Sequence, residues 1–319
     1  MPALAIAIVS YNTRGLLDEC LRSLRADADA GRAEVWVVDN KSPDDSADMV
    51  EREHPWATLI RSDVNLGYGP AVNVVASRTD TAWIACANSD LAFTPDAVAT
   101  LLAAGEAHPE AGAIAPRLVL PDGSTQQSVQ PFPSVATALL AASRAPSFSA
   151  RARSRLYLPG AWEEDAPQEV PWATGAFLVV RRTAWDEVGG FDEAQWMYAE
   201  DLDLGWRLAK AGWTTRYEPS AVVHHHESAA SKPAFGGQAG VVDKWVRANH
   251  AWMVRRQGLV RTWTASGIAA TDAGVRVLAL RALARRDSER FAEKLDWARR
   301  DLKGARSGLR SRSKLLEAK

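Results

Sequence analysis

The chain has 319 residues and a formal net charge of −1, with 47% hydrophobic and 24% charged residues. This composition is typical of a globular protein with one large domain or two modest ones. A net charge this small excludes nucleic-acid binding driven by overall charge. No apolar run reaches the ~18 residues of a membrane-spanning helix, and no signal-peptide pattern is present. We therefore expect a cytoplasmic protein.

The C-terminal segment is strongly basic. From Arg276 onward the chain holds 14 Lys and Arg residues against 6 Asp and Glu residues. A basic tail on an acidic body indicates a polyanionic or membrane-surface partner, so we expect peripheral contact with the inner face of the cell membrane. The alternatives are a solvated helical extension and an oligomer contact. The two cysteines, Cys20 and Cys86, fall in apolar patterns that predict buried, reduced thiols.

Short apolar runs alternate with helical patterns through the first 115 residues. Runs of this length indicate strands buried on both faces, and the alternation predicts a mostly parallel sheet flanked by helices. In chain order the predicted elements are strand 4–9, helix 16–26, strand 34–38, helix 44–53, strand 58–60, helix 70–77, strand 82–87, helix 95–107 and strand 113–115.

The pattern weakens between residues 126 and 170, where five prolines interrupt it. We interpret this segment as an insertion or a mobile loop over the site. Regular structure resumes at 172–181, followed by a helix over 200–212 and two short strands at 214–217 and 221–225. From about residue 241 the chain is predicted to be helical.

Polar side chains follow three of the predicted strands. In parallel α/β sheets, ligands bind at the carboxyl ends of the strands, so these groups predict a ligand site. Ordinary turn chemistry is the alternative, since Asn and Ser favour turns. The three groups are Ser10-Tyr11-Asn12, Asp39-Asn40 and Asn88-Ser89-Asp90.

An acidic cluster opens the predicted helix at residue 200. Glu200, Asp201 and Asp203 follow a Gly-rich and aromatic run that contains Trp196 and Tyr198. This context indicates a carboxylate in a pocket, as a general base requires, whereas helix capping is the alternative. For Asp203 we expect a capping role or an ion pair one helical turn on.

These motifs occur together in a known order and spacing. The motifs are Val9-Ser10-Tyr11-Asn12, Val38-Asp39-Asn40-Lys41-Ser42, Asn65-Leu66-Gly67-Tyr68-Gly69 with Asn73, Asn88-Ser89-Asp90, Thr174-Gly175-Ala176, Glu200-Asp201-Leu202-Asp203 and His224-His225-His226. Over residues 4–230 the chain resembles the inverting family 2 glycosyltransferases of the GT-A fold, and among them the rhamnosyltransferase-like members.

The resemblance implies a domain division and a nucleotide-sugar site. We expect a GT-A domain over 1–235, with a nucleotide-binding half at 1–120 and an acceptor and catalytic half at 170–235, followed by a basic helical extension over 236–319. Asp39 would accept the imide N–H of a uracil or thymine ring. The implied nucleotide-sugar-binding residues are Ser10, Tyr11, Asn12, Asp39, Asn65, Gly67, Asn73, Asn88, Ser89 and Asp90.

The resemblance also implies a divalent metal, Mg²⁺ or Mn²⁺, on Asp90. Asn88 departs from the family's Asp-x-Asp motif, which leaves Asp90 as the ligating carboxylate. A histidine would be the second ligand. The spacing to Ser231 favours His226, which we prefer, whereas the distance from Pro219 favours His225. Solvated imidazoles on a loop are the alternative.

In this family pattern Asp201 occupies the position of the general base, and Glu200 would orient the acceptor or Asp201. Gly175 and Ala176 would let a sugar approach the backbone. The aromatic residues that would stack on sugar faces, with core packing as the alternative account, are Trp172, Trp196 and Tyr198.

The implied function is transfer of a deoxyhexose, L-rhamnose from dTDP-L-rhamnose, to a hydroxyl of a glycan or of a polyprenyl-diphosphate-linked sugar in cell-wall or polysaccharide assembly. A UDP-hexose or UDP-galactofuranose donor on the same fold is the first alternative. A nucleotidyltransferase would need a Gly-rich phosphate loop after the first strand, which Ser10-Tyr11-Asn12-Thr13-Arg14-Gly15 does not supply. A non-catalytic nucleotide-sugar-binding protein is the remaining alternative.

Overall fold

A computed structural model describes residues 2–143, 149–158, 162–226 and 238–310, without the side chains of 238–243 and 288. The chain divides into two compact units. The first comprises Met1–Gln130 and Trp162–Gln238, and the second comprises Pro131–Ala161 and Ala239–Lys319. Residues 131–161 thus cluster with the C-terminal helices. The domain division at residue 235 stays a prediction.

Strands and helices alternate through the first part of the chain, as expected. The first ten elements are β1 (Leu4–Ser10), α1 (Arg14–Asp29), β2 (Ala33–Asp39), α2 (Ser46–Glu53), β3 (Thr58–Arg61), α3 (Gly69–Ala76), β4 (Trp83–Asn88), β5 (Leu91–Phe93), α4 (Ala97–Ala107) and β6 (Ala111–Val119). The predicted helix and strand types are correct throughout, and β5 is the element that the sequence patterns missed.

The remaining elements complete the first unit and form the second. In the first unit they are β7 (Val129–Gln130), β8 (Gln168–Val170), β9 (Trp172–Ala173), β10 (Phe177–Arg181), α7 (Arg182–Val188), α8 (Glu200–Ala211) and β11 (Thr214–His225). In the second they are α5 (Val135–Ala142), α6 (Ala150–Arg155), α9 (Gln238–Gln257), α10 (Leu259–Ala284) and α11 (Ser288–Leu309).

One mixed, largely parallel sheet organises the first unit. Its strand order is β3-β2-β1-β4-β10-β6-β11-β5, and β8 pairs with β11. The pairs among β1 to β4 and the β6–β11 pair are parallel, whereas β10 is antiparallel to both β4 and β6. The expected two strands at 214–217 and 221–225 are one strand with a register shift between Glu218 and Val222.

The sheet is buried on both faces, which explains the continuous apolar runs. Side chains alternate along β1, so that Ile6 and Ile8 belong to one core cluster with α1 and α2, and Ala7 to the other with α3 and α8. Cys20 and Cys86 are buried free thiols, as predicted. Burial raises the pKa of the Cys86 thiol to about 12.

In the second unit, α5 and α11 both pack against α10. The segment 126–170 is therefore partly helical rather than one long loop. Trp252 and Met253 are buried, whereas Val260 and Trp263 are exposed on α10. Among the helices of the described residues, none is both long and apolar enough to cross a membrane.

Candidate active site at the strand ends

The carboxyl ends of three neighbouring strands meet at one edge of the sheet. Ser10 of β1 stands opposite Asp39 of β2, and Val9 stands opposite Asn88 of β4. The polar groups that follow these strands are consequently side by side, as the sequence predicts for a ligand site in a parallel sheet.

Asp39 presents an unused buried acceptor. Its Oδ2 accepts a 3.0 Å hydrogen bond from the backbone N–H of Ser42. Its Oδ1 is buried and has no hydrogen-bond partner among the described residues. A buried carboxylate oxygen without a donor costs free energy, so this atom suits a ligand N–H, such as the imide of a pyrimidine base.

A chain of hydroxyl groups joins the first and third strand ends. Thr13 Oγ1 lies 3.2 Å from Ser10 Oγ and 2.7 Å from Ser89 Oγ. Thr13, to which the sequence motifs gave no role, therefore links the two strand ends. Tyr11 is partly buried and Asn12 is exposed at this edge, and the Asn12 backbone N–H donates to Ser42 Oγ.

The Asn65–Gly67 turn is fixed by two side-chain amides. Asn65 Oδ1 accepts from the N–H of Gly67, whereas Asn40 bonds both the Leu66 N–H and the Gly67 carbonyl. Gly67 has φ +86°, and the space of a Cβ there is filled by Trp196. The close approach at Gly67 is therefore to the protein itself, which gives this glycine a packing role.

Asn73 also has a structural role. Its Nδ2 donates to the carbonyl of Phe191 at 2.9 Å, and its Oδ1 accepts from the Phe191 N–H at 3.0 Å. Both atoms of the amide are thus engaged by the Gly-rich turn after α7. The structure does not bring Asn73 into the group of strand-end residues.

Asp90 and His225 form the candidate metal site. His225 Nε2 lies 3.2 Å from Asp90 Oδ1 and 3.2 Å from the amide nitrogen of Asn88. His225 Nδ1 lies 2.7 Å from Gln126 Oε1, which can only accept, so Nδ1 carries a proton. Nε2 is then the ring atom whose lone pair is available to a cation.

His226 points elsewhere. Its Nε2 lies 3.7 Å from Glu19, and 38% of its side chain is exposed. The structure thus places His225, and not the preferred His226, beside Asp90. Ser231, whose spacing in the sequence favours His226, lies outside the described residues.

The donor set is suited to a divalent metal with few protein ligands. A carboxylate oxygen and an imidazole nitrogen whose far side is held by Gln126 match the usual pattern of a ligand with an outer hydrogen-bond partner. Within the described residues, no cluster of three or more His, Cys, Asp or Glu side chains could hold a metal ion. Remaining ligands would therefore come from a bound phosphate and water.

The backbone at residues 174–176 holds Asp201. The Gly175 N–H donates to Asp201 Oδ2 at 2.9 Å, and the Leu202 N–H donates to Oδ1 at 2.8 Å. The Ala176 carbonyl accepts from the Asn88 N–H at 2.8 Å. One turn therefore connects the end of β4, which leads to Asp90, with the start of α8. A Cβ on Gly175 would lie 3.3 Å from that of Asp201.

The surroundings of Glu200 and Asp201 disfavour the charged form of both carboxyl groups. Burial raises the pKa of Asp201, and burial together with the neighbouring Asp201 charge raises the pKa of Glu200 well above its ordinary value. Glu200 Oε2 is buried without a hydrogen-bond partner among the described residues. A raised pKa makes a carboxylate a stronger base near neutral pH.

The backbone before the pair is strained. Tyr198 and Ala199 adopt φ values of +65° and +63°, in the left-handed region that favours glycine. Such strain costs of order 1–3 kcal/mol per residue and persists only where the surroundings enforce it. This conformation places Glu200 and Asp201 at the first turn of α8.

The three candidate sugar-stacking aromatics differ in exposure. Trp172 is 2% exposed and packs against Gly205, so core packing accounts for it. Trp196 is 43% exposed, with its Nε1 3.4 Å from the Asn65 carbonyl. Tyr198 is half-buried at the strained turn. Trp196 therefore offers the most open face.

Tyr68 is a site residue to which the sequence motifs assigned no role of its own. Its hydroxyl donates to the Gly175 carbonyl, and Cys86 Sγ lies 3.5 Å from the same oxygen. Burial raises the pKa of the Tyr68 phenol well above its usual value, so the hydroxyl stays a donor. Its position in the Asn65–Gly69 motif was the available signal.

Comparison with known proteins identifies the family. The family model "Glycosyl transferase family group 2" matches residues 83–284, and "Glycosyl transferase family 2" matches residues 5–158. The chain belongs to glycosyltransferase family 2. Since the chain is also 36% identical to a rhamnosyltransferase over 70% of its length, this glycosyltransferase is an enzyme of the rhamnosyltransferase-like group.

Three relatives illustrate the likeness. N-acetylglucosaminyl-diphospho-decaprenol L-rhamnosyltransferase of Mycobacterium tuberculosis is 36% identical over 238 residues, which cover 70% of this chain and 76% of that protein. Rhamnosyltransferase WbbL of Escherichia coli is 40% identical over 62 residues, which cover 18% of this chain and 24% of that protein. A mannosyltransferase of Pyrobaculum calidifontis, solved with GDP-Man and Mn²⁺, has a TM-score of 0.59 at 18% identity. The match covers 97% of this chain and 87% of the mannosyltransferase chain. It supports the GT-A fold.

Proposed function

We propose that this glycosyltransferase transfers L-rhamnose from dTDP-L-rhamnose, with inversion, to a hydroxyl of a lipid-linked N-acetylglucosaminyl diphosphate in cell-wall or polysaccharide assembly. The observation that carries the transfer chemistry is the 174–176 turn, which bonds Asp201 on one side and the end of β4 on the other. The choice of sugar and acceptor rests on the 36% identity to the mycobacterial enzyme named for that reaction.

In the proposed reaction, the Asp201 carboxylate takes the proton of the acceptor hydroxyl. The acceptor oxygen then forms a bond to the anomeric carbon, while the bond from that carbon to the diphosphate oxygen breaks. The diphosphate leaves with the electron pair on the opposite face, which inverts the configuration. General-base catalysis of this kind is worth about 10²–10⁴-fold in rate.

Asp39 would bind the base through its buried Oδ1, which fits a pyrimidine imide. Asp90 and His225 would hold a divalent cation, Mg²⁺ or Mn²⁺. Such a cation neutralises charge on a leaving diphosphate. Of the two histidines in the expected ligand set, we propose His225, because His226 lies next to Glu19 instead.

We also propose peripheral membrane contact by the basic helical extension over 236–319. The exposed apolar side chains of Val260 and Trp263 on α10 support it, because apolar groups beside basic residues suit an anionic membrane interface. Flotation with phosphatidylglycerol vesicles would test it. Replacing both residues with serine should reduce the bound fraction, and an unchanged fraction would contradict the contact.

A panel of dTDP- and UDP-sugars, each with Mg²⁺ or Mn²⁺, tests the donor. We expect metal-dependent binding and hydrolysis of dTDP-L-rhamnose, lost in Asp90→Ala and retained in Asp122→Ala, which makes the same change on an exposed turn. Preference for a UDP-hexose or UDP-galactofuranose would replace the donor. Binding of none of these donors would contradict the proposed function.

A further inference from the structure

The helical unit contains an open cavity of about 580 Å³ with an unusual lining. Side chains from α9, α10 and α11 contribute to it. Six of the lining residues are cationic, and among the described residues that line it none is acidic. The six cationic residues, which we name the basic pocket, are Arg247, Arg281, Arg299, Lys303, Arg306 and Arg310.

The spacing of the cationic residues along the helix explains why they line the cavity together. Arg299, Lys303 and Arg306 on α11 and Arg310 at its C-cap follow one another at spacings of four, three and four residues, which places them along one face of the helix. This face is continuous, and its charge is of one sign. A helix face on which positive and negative residues alternate and pair with one another would not have this property.

Two arginines elsewhere on the same helices are paired with carboxylates, whereas the arginines of the basic pocket are not. Arg276 pairs with Asp272 and Asp301, and Arg300 pairs with Asp296. In the part of the chain that the structure describes, the five arginines of the basic pocket form no ion pair. A cleft lined by one sign of charge concentrates counter-ions of the opposite sign.

Neutral hydrogen-bonding groups also line the cavity. His250 and Ser307 line it, and His250 Nδ1 lies 3.4 Å from Ser307 Oγ. His250 Nε2 lies 3.4 Å from the buried Ser266. A Cβ on Gly308 would lie 2.6 Å from that imidazole, so glycine allows α11 to pack closely here. The cavity is thus a built concavity rather than a gap between loose side chains.

We propose that the basic pocket binds a diphosphate group. Guanidinium groups match phosphate oxygens bidentately, and several arginines around one cavity can bind two linked phosphates at once. The volume lies within the ~300–1,000 Å³ usual for ligand sites and exceeds what a single phosphate would need. The diphosphate could be free in solution or be the headgroup of a polyprenyl lipid.

Calorimetric titration of the full chain with inorganic diphosphate, in EDTA and without nucleotide, tests the site. In Arg281→Gln/Arg299→Gln/Arg306→Gln we expect affinity to fall at least about tenfold, because charge-assisted bonds are lost. The control, Arg285→Gln/Arg286→Gln/Lys294→Gln, removes the same charge outside the basic pocket and should bind as the wild type. No binding by the wild type, or equal loss in both variants, would overturn the proposal.

A second variant keeps the charge and alters only the shape of the donors. Arg281→Lys/Arg299→Lys/Arg306→Lys retains six cations and replaces three forked donors with point charges. We expect weaker diphosphate binding than in the wild type, and unchanged affinity would contradict bidentate recognition. This variant also serves if the glutamine variant does not fold.

Vesicle flotation distinguishes the two sources. Phosphatidylcholine vesicles would be used alone, with phosphatidylglycerol, or with undecaprenyl diphosphate, and each would be tested with wild type and the glutamine variant. Recruitment by undecaprenyl diphosphate that depends on the basic pocket supports a lipid source, and its absence beside calorimetric binding supports free diphosphate. An equal pocket-dependent gain with phosphatidylglycerol would overturn the diphosphate assignment. No donor sugar is present, so these results do not depend on the proposed transfer reaction.

Discussion

The backbone N–H of Gly175 donates a hydrogen bond of 2.9 Å to Oδ2 of Asp201. This bond, with that from Leu202 to Oδ1, fixes the plane of the carboxylate while each oxygen keeps a second lone pair. The two N–H groups lower the pKa of Asp201, but burial is the larger effect and raises it. The geometry thus combines a fixed orientation with increased basicity.

Replacement of Asp201 by Asn should lower kcat by about 10²–10⁴-fold, because the amide cannot take the acceptor proton. The isosteric side chain can still accept one backbone N–H, so donor affinity should be nearly unchanged. Steady-state transfer rates together with donor binding measure both quantities. Full activity in Asp201→Asn would contradict its role as the base.

The pH dependence of transfer should follow the same carboxylate. Because the pKa of Asp201 is raised by burial, the acid limb of kcat/KM should lie above the ~3.9 of an ordinary Asp. Activity is expected to fall as the pH is lowered through that limb, since the base becomes protonated. A profile that is flat down to the ordinary Asp range would be inconsistent with this environment.

Glu200 should make the folded protein less stable as the pH rises. Between the ordinary Glu pKa of about 4.3 and the raised value, the folded state holds more protons than the unfolded state, so stability decreases with increasing pH. Glu200→Gln should raise the free energy of unfolding at neutral pH and make this decrease shallower. Urea unfolding at several pH values measures it, with the exposed Glu193→Gln as the control.

Gln126 should control metal affinity without touching the metal. Gln126→Leu removes the acceptor of the His225 Nδ1–H, and loss of such an outer partner typically costs about 10–100-fold in affinity. Gln126→Glu keeps an acceptor and should retain affinity. Titration with Mn²⁺ compares the two variants, and similar affinity in both would exclude a positioning role.

The buried Asp203–Arg207 ion pair should contribute substantially to the free energy of unfolding. Arg207 Nε lies 2.7 Å from Asp203 Oδ2, and the Asp203 side chain is 0% exposed. This confirms the pairing expected at i+4. Asp203→Ala leaves a largely buried cation and should cost about 3–5 kcal/mol in the free energy of unfolding.

The control for that measurement is Asp296→Ala, which breaks an i,i+4 pair with Arg300 whose side chains are 53% and 39% exposed. Exposed pairs contribute about 0–1 kcal/mol, so urea unfolding should show little change. Equal effects of the two substitutions would contradict the importance of burial.

The strand-end part of the site could be predicted because its signals are local. Asp39 and Asn88 each end an apolar run, and parallel strands bring such ends together whatever lies between them. Gly212, with φ +95°, ends α8 where its sequence position suggests. Periodicity and end signals depend on a few neighbouring residues, so the sequence displays them directly.

The choice between His225 and His226 could not be predicted in this way. Alternation along a strand tells which histidines share a face, but not which face meets Asp90, and the register shift before Val222 changes that relation. The sequence motifs do not indicate Gln126 as a partner of His225, because the two residues lie 99 positions apart in the chain. The contacts of Gly67 with Trp196 and of Asn73 with Phe191 depend on tertiary packing, so the sequence does not display them. The nucleotide-binding roles of Gly67 and Asn73 stay predictions.

The position of β10 between β4 and β6 has a consequence for biosynthesis. During translation β4 and β6 are complete long before Phe177–Arg181 emerges from the ribosome, so each strand has an unpaired edge in the meantime. Long-range strand pairing forms slowly, and open edges promote association between chains. The first 120 residues made alone should therefore aggregate, and the nascent enzyme should depend on chaperones until β10 and β11, the two neighbours of β6, are available.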